Sequence, residues 1–268
     1  MKKFILFIAG LLTFGFLLAH EFWLHPNKFI YEWGELVNIR LLVGENYEGE
    51  NWTGNKSSIQ SLQLHLSDAT DDLADRITDS TGDSLQFAIY DEGTYLVTYN
   101  SQNKFIELES QKFLDYLKED GLQNAIEYRA SNNENDSAGR EYYQRSAKTI
   151  FQVGSKTTNL FQKETNLPLD IIPLQNPYNF QQSDTIQQIT VKLLFRKKPL
   201  AKQLVKIWHR ENNETQKIEF HSDEKGIVQF PLRPSGRWMV SAVIMERLQN
   251  DPKAQWQSYW GSCTWGYE

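Results

Sequence analysis

The chain has 268 residues, of which 34 are acidic and 28 are basic, so its net charge is −6. This balance argues against nucleic acid or an anionic membrane surface as a partner, because both bind basic surfaces. Since Cys263 is the single cysteine, an intramolecular disulfide framework and a thiolate zinc site are excluded, and stability must come from the core.

The first 19 residues have the composition of an export signal. Lys2 and Lys3 precede an apolar run over residues 4–18, which is shorter than the roughly 20 residues that a spanning helix needs. Ala19 is small, as cleavage requires, whereas Leu17 is larger than the ideal third-last residue. We predict a signal peptide over 1–19, cleavage after Ala19, and a periplasmic protein that starts at His20 and keeps no transmembrane segment. Cleavage elsewhere, or retention of the segment as an anchor, stays open.

Strand signals dominate residues 20–105. Short segments with alternating apolar positions are separated by turn residues such as glycine and aspartate, a pattern typical of a β-sandwich or a small barrel. The predicted strands span 29–31, 36–43, 61–66, 84–90 and 93–99. We assign them to an N-terminal β-sandwich lobe.

Helical spacing replaces this pattern over residues 106–155. Apolar side chains recur at spacings near 3.6 over residues 107–128. A second stretch, from about 140 to 153, places Tyr143, Ala147 and Ile150 on one helical face. These stretches predict a helical pair inserted between two β regions, followed by an extended, proline-containing linker over 156–184.

Strand signals return in the last part of the chain. The predicted strands span 185–195, 204–210, 216–221, 226–231, 238–245 and 257–265. Their regular spacing predicts a second sandwich over residues 185–268. The predicted fold class is therefore mainly β, with two immunoglobulin-like or transthyretin-like sandwich lobes and an inserted helical pair.

Three of the five histidines are candidate metal ligands. If His20 is the first residue, its α-amino nitrogen, with a pKa near about 7.7, and its imidazole can chelate one ion together. His25 or His209 would then supply a third nitrogen, and such a set suits Ni, Co or Cu better than Ca or Mg. The alternative is that His20 is only an end residue and that the other two are surface histidines. The histidines at 65 and 221 are predicted to be structural.

Motifs for covalent or phosphoryl-transfer catalysis are missing from the sequence. It contains no nucleophile elbow, no P-loop and no dinucleotide-binding glycine pattern, so we predict that the protein is not an enzyme. An N-terminal-histidine copper oxidase is the enzymatic alternative, because it would use the same first two ligands. That activity would also need an open metal position and a substrate-binding face.

Several segments resemble the DUF4198 family, whose members are described as periplasmic components of nickel or cobalt transport systems. In chain order they are AHEFWLHP (19–26), VGENYEG (43–49), FLDYLKEDGL (113–122), REYYQR (140–145) and WQSYW (256–260). The resemblance covers nearly the whole predicted mature chain. It implies a two-lobed β architecture and a transition-metal role in which His20 matches the family's histidine at the mature start. The chain has fewer histidines than histidine-rich relatives, which argues against high-capacity metal storage.

Two functional hypotheses follow. The first is a periplasmic binding protein that holds Ni, Co or Cu through its amino terminus, His20 and one of His25 or His209, and delivers the ion to a membrane transporter. The second is a structural or accessory β-sandwich protein that binds a receptor, a transporter or a glycan and needs no metal.

Overall fold

The computed structural model describes residues 20–77, 84–180 and 186–268, so the predicted signal peptide lies outside the described residues. The described residues are mainly β with two α-helices, which confirms the predicted fold class at that level. The finer assignment to immunoglobulin-like or transthyretin-like sandwiches stays a prediction. The strands of the first part are β1 (Glu21–Pro26), β2 (Ile30–Tyr31), β3 (Leu36–Glu45), β4 (Glu48–Asn51), β5 (Ile59–His65), β6 (Thr70–Asp72), β7 (Ser84–Ala88), β8 (Gly93–Ser101) and β9 (Lys104–Leu108).

The strands of the second part begin with a long one. They are β10 (Gly139–Val153), β11 (Leu169–Pro173), β12 (Gln187–Phe195), β13 (Lys198–Pro199), β14 (Leu204–Glu211), β15 (Glu214–His221), β16 (Ile227–Leu232), β17 (Arg237–Arg247) and β18 (Trp256–Gly266). Short 3-10 helices in the described residues are Lys56–Ser58, Ala74–Arg76, Asn159–Gln162 and Pro177–Phe180. Each strand predicted from the sequence corresponds to one of the observed strands.

The inserted helical pair is present, but it is shorter than predicted. Helices α1 (Ser110–Glu119) and α2 (Gln123–Ser131) both lie within the first predicted helical stretch, and Gly121, with φ +65°, makes the turn between them. The predicted second helix, over residues 140–153, is wrong because this segment is strand β10. Residues 146–153 are all buried, so exposed and buried positions do not alternate along this part of the strand. The sequence pattern that distinguishes a strand from a helix is therefore missing.

One ten-stranded sheet contains strands from both predicted lobes. Its order is β15-β14-β17-β18-β10-β8-β5-β6, and β2 and β9 also pair with β10. The two halves meet where β10 pairs in parallel with β18 from Glu141↔Trp256 to Thr149↔Thr264. Two smaller sheets, β1-β3-β4 with β7 and β11-β12-β13 with β16, complete the described β structure.

The two faces of β10 belong to different hydrophobic cores. Phe151 packs into a core with β1 and β3, whereas Ile150 packs into a core formed with β11, β12 and β14. Because neighbouring side chains on a strand point to opposite faces, the large sheet is covered by a smaller sheet on each side. A third core packs α1 and α2 against β17 and β18. This arrangement holds β1, and therefore His20, against the centre of the molecule.

A buried ion pair lies between β10 and β11. Lys148 Nζ contacts Asp170 Oδ1, and the two side chains are 1% and 3% exposed. The backbone N–H of Thr165 donates to Asp170 Oδ2 at 2.7 Å, and the Thr165 hydroxyl donates to the same oxygen at 3.0 Å. Cys263 pairs with Lys148 across β10 and β18, and burial raises the pKa of its thiol to about 12. Cys263 is therefore a packed core residue, not a reactive thiol.

Candidate functional site

His20 directly precedes β1 and contacts the end of the neighbouring strand. Its Nε2 lies 2.9 Å from Glu45 Oε1, with 21% of the His20 side chain and 62% of the Glu45 side chain exposed. The register of β1 against β3 explains the contact, because Glu21 pairs with Gly44 and the next step along both strands brings residues 20 and 45 together. Both side chains remain accessible to a solute.

The β3–β4 hairpin fixes the position of Glu45. Its turn residues, Asn46 and Tyr47, have φ values of 53° and 55°, as both central residues of a tight hairpin turn must. The Tyr47 ring is buried against Trp23, with ring centroids 5.4 Å apart, and its hydroxyl donates to the Trp238 carbonyl at 3.2 Å. The turn is therefore anchored to both halves of the molecule, and Glu45 is held beside His20.

Gly49 lets this hairpin lie directly on Trp23. A Cβ at residue 49 would lie 2.5 Å from Trp23 Cη2 and 2.8 Å from the Val43 carbonyl oxygen. We expect Gly49→Ala to lower the free energy of unfolding by about 1–3 kcal/mol, because the new methyl group overpacks a filled space. Urea unfolding measures this change. Gly93→Ala is the comparison variant, since its nearest neighbour would be a Thr158 side-chain atom at 3.2 Å. Equal effects of the two substitutions would contradict the prediction.

His25 occupies a different environment from His20. The two residues are five positions apart on one extended strand, which separates them by roughly 16 Å and turns them to opposite faces. Arg237 Nη1 donates to His25 Nε2 at 3.2 Å. Burial, Arg237 and Arg40, in that order, lower the pKa of His25 to about 3. His25 is therefore neutral, and the two guanidinium groups would repel a metal cation.

His209 also lies apart from His20. Its Nε2 donates to the Ser235 carbonyl at 3.1 Å, and its ring stacks on Trp238 with centroids 4.2 Å apart. Burial is the main cause that lowers the pKa of His209. The ring borders a cavity of about 250 Å³ that Glu211 and Glu214 also line. The structure thus places the three predicted ligands in three separate environments, and the described residues contain no group of three or more His, Cys, Asp or Glu side chains arranged to hold a metal ion.

A buried cluster of charges beside His20 was missed by the sequence reasoning. Lys206 Nζ lies 2.7 Å from Asp120 Oδ1 and 3.7 Å from Glu21 Oε1. Burial raises the pKa of Glu21 to about 7 and that of Asp120 to about 6, although Lys206 lowers both. The adjoining cavity, of about 10 Å³, has room for about one water molecule. The cluster therefore joins β1, the residue that follows α1, and β14, and it has no space for a larger ligand.

The sequence indicates that two of these charges are buried, but it does not identify their partners. Glu21 precedes three apolar residues in β1, and Lys206 lies between Val205 and Ile207 in β14, so both charges interrupt apolar strands. Such charges are buried only when they are paired. The partners could not be assigned, because Asp120 and Lys206 are 86 positions apart and nothing in a single sequence links them.

No helix among the described residues is long and apolar enough to cross a membrane.

Three solved structures resemble the chain distantly. A DUF4785 family protein from Legionella pneumophila shares 8% identity, with a TM-score of 0.25 over 81% of this chain and 48% of that one. The BSP domain of a biofilm-associated protein shares 11% identity, with a TM-score of 0.21 over 90% of this chain and 29% of that one. Elastase-activated Escherichia coli alpha-2-macroglobulin shares 8% identity, with a TM-score of 0.23 over 92% and 20%. The chain therefore spans less than half the length of each of these structures.

No curated protein matches the chain. The sequence model of DUF4198, a domain of unknown function, matches residues 17–246, which include the His20–Glu45 contact, the hairpin and the helical pair. Because this match spans most of the sequence, the chain belongs to the DUF4198 family.

Proposed function

We propose that the protein is exported to the periplasm, starts at His20 after removal of residues 1–19, and binds a Ni, Co or Cu ion at its new amino terminus for delivery to a membrane transporter. The observation that supports this proposal is the contact of 2.9 Å between His20 Nε2 and Glu45 Oε1. His25 and His209 are not part of the proposed site, because the structure holds them elsewhere.

Glu45 makes His20 a better ligand. A carboxylate only accepts hydrogen bonds, so a neutral His20 donates its Nε2–H to Glu45 and keeps a lone pair on Nδ1. The α-amino nitrogen and Nδ1 of the same terminal histidine can bind one ion together. A carboxylate on the second ring nitrogen fixes the tautomer and raises the basicity of the ligating one, as in many metal sites. Glu45 is thus a positioning residue.

The ion is cargo in this proposal. Two nitrogen ligands from one residue leave the remaining coordination positions to water or to a partner protein. An accessible, incompletely enclosed site suits exchange of the ion with a transporter, and the nitrogen ligands favour late first-row transition metals. In vitro we expect Cu²⁺ to bind most tightly, because Cu²⁺ leads the Irving–Williams order.

Isothermal titration of the protein that starts at His20, with Ni²⁺, Co²⁺ and Cu²⁺ chlorides in turn, tests the proposal. We expect a Kd below about 10 μM, which corresponds to about −7 kcal/mol, for at least one ion. Glu45→Gln should weaken this binding about 10- to 100-fold, which is the usual effect of removing an outer partner of a ligating histidine. His221→Ala, a histidine on the exposed side of β15, is the matched control and should leave the Kd unchanged.

A variant with one extra glycine before His20 distinguishes metal binding at the amino terminus from metal binding at another part of the protein. The extension keeps every side chain but moves the α-amino group away from the His20 imidazole. We expect it to abolish the tight site, and an unchanged Kd would overturn the terminal chelate. Intact-mass measurement of the exported protein identifies the first residue directly, and a start at Glu21 or later would remove the site.

A further inference from the structure

A second accessible site lies on the ten-stranded sheet, away from His20. An open groove of about 320 Å³ crosses this sheet, and its lining includes Gln60, Asn100, Gln144, Lys197 and Tyr259. These side chains come from β5, β8, β10, the β12–β13 turn and β18. Since β5, β8, β10 and β18 are consecutive in the sheet and neighbouring strands lie about 4.8 Å apart, the groove spans roughly 14 Å. That length accommodates an extended ligand.

The floor of the groove is a network of side-chain amides. Gln60 Oε1 accepts from Gln144 Nε2 at 2.8 Å and from Asn100 Nδ2 at 3.0 Å. Gln144 Nε2 also donates to the Ser101 carbonyl at 2.9 Å. These bonds fix the amide orientations and leave Gln60 Nε2 as a donor and Gln144 Oε1 as an acceptor for a ligand. A surface that presents fixed donors and acceptors side by side matches hydroxyl groups, which both donate and accept.

One wall of the groove is aromatic and held in place. Tyr259 pairs with Gln144 across β18 and β10, so its ring borders the amide floor. Arg196 Nη2 donates to the Tyr259 hydroxyl at 2.8 Å and pairs with Glu246 at 2.7 Å, and its guanidinium lies 5.3 Å from the centre of the Tyr259 ring. The Tyr259 hydroxyl therefore keeps its own hydrogen to donate. Leu167 and Pro168 add apolar surface that suits the C–H faces of a sugar ring.

The groove carries positive charge in a protein of net charge −6. The described residues that line it include Arg196 and Lys197 and no aspartate or glutamate. Glu246 already pairs with Arg196, whereas Lys197 Nζ meets the neutral Asn166 Oδ1 at 3.0 Å. Arg196 and Lys197 have φ values of 48° and 66° in a turn where asparagine or glycine fits more easily. The strained turn thus presents two cations at the rim of the groove.

From these observations we infer that the groove binds a carboxylated oligosaccharide, with the amide floor on its hydroxyl groups, Tyr259 against a ring face and Lys197 on a carboxylate. This site is independent of the proposed metal site. It would give the protein a second ligand that requires neither His20 nor a metal ion.

Calorimetric titration of the metal-free protein with trigalacturonate, and separately with the neutral maltotriose, tests the inference. We expect saturable binding of trigalacturonate and binding of maltotriose at least 10-fold weaker. Lys197→Asn, which removes the charge but tolerates positive φ, and Gln144→Leu, which removes the amide, should each weaken trigalacturonate binding at least 5-fold. Lys225→Ala, on the exposed turn before β16, is the matched control and should leave binding unchanged.

Thermal melting of each variant shows whether it folds, and Lys197→Asn, on an exposed turn, keeps the test available if Gln144→Leu does not fold. The absence of saturable trigalacturonate binding overturns the inference. Equal binding of the charged and neutral saccharides, or full binding by Lys197→Asn, overturns the assignment of a carboxylated ligand.

Discussion

Replacing Lys148 by methionine, or Asp170 by asparagine, is expected to lower the free energy of unfolding by about 3–5 kcal/mol. Both side chains are almost fully buried, so each substitution leaves the other charge without its partner in a medium that solvates it poorly. Asp170→Asn keeps the shape of the side chain and tests the charge most directly. Urea unfolding followed by tryptophan fluorescence gives the two free energies.

The double variant Lys148→Met, Asp170→Asn separates a missing partner from a general packing defect. It removes both charges at once, so we expect it to be more stable than either single variant. Lys225→Met, at an exposed position, is the control for the lysine substitution and should change stability by less than about 0.5 kcal/mol. A double variant whose loss equals the sum of the two single losses would show that the ion pair does not couple the two residues.

Glu141→Gln is expected to stabilise the protein at alkaline pH. Burial raises the pKa of Glu141 to about 8, although hydrogen bonds with Ser258 and Tyr116 lower it in part. Because the pKa in the folded state lies above the usual value near 4.5, the favourable contribution of the protonated form is complete below about pH 4.5. It is lost as the pH rises through 8. At pH 9 the wild type then contains a buried carboxylate, whereas the variant contains a neutral amide.

We expect the difference in unfolding free energy between Glu141→Gln and the wild type to grow by about 4–5 kcal/mol between pH 4.5 and pH 9. This is the size that the shift in the pKa of Glu141 from 4.5 to about 8 implies. Chemical unfolding at several pH values measures it. Glu127→Gln, on the exposed face of α2, is the matched control and should show no such growth. A difference that is the same at both pH values would mean that Glu141 is ionised throughout this range.

Most of the strands could be predicted because their apolar positions alternate. β3, β5 and β16 each have polar and apolar positions in turn, so turn residues and period together locate them. β10 could not be distinguished from a helix in the same way. Its second half is buried on both faces, and its identity as a strand depends on pairing with β8 and β18, which lie far away in the sequence.

Of the three predicted ligands, only His20 enters the site proposed above, and its role there stays a prediction. His20 was identified because its position at the start of the predicted mature chain is a local property of the sequence. The roles of His25 and His209 depend on Arg237 and Ser235, which the fold brings from distant segments. The contact of Glu45 with His20 could not be predicted, because it follows from the register of β1 against β3. The charges at the proposed oligosaccharide groove were not predicted either, because segments that are distant in the sequence form the groove.

The parallel pairing of β18 with β10 also determines the order in which the protein can fold. The Ser262 hydroxyl donates to the Phe22 carbonyl at 2.7 Å, and that of Thr264 donates to the Leu24 carbonyl at 2.8 Å, in each case across 240 positions of sequence. Strand β18, which joins the two halves of the large sheet, follows every other described strand in the sequence, so the sheet cannot close before β18 has been synthesised. A polypeptide with such non-local contacts folds slowly. If the protein is exported, as proposed above, that delay would keep the chain unfolded until it has crossed the membrane.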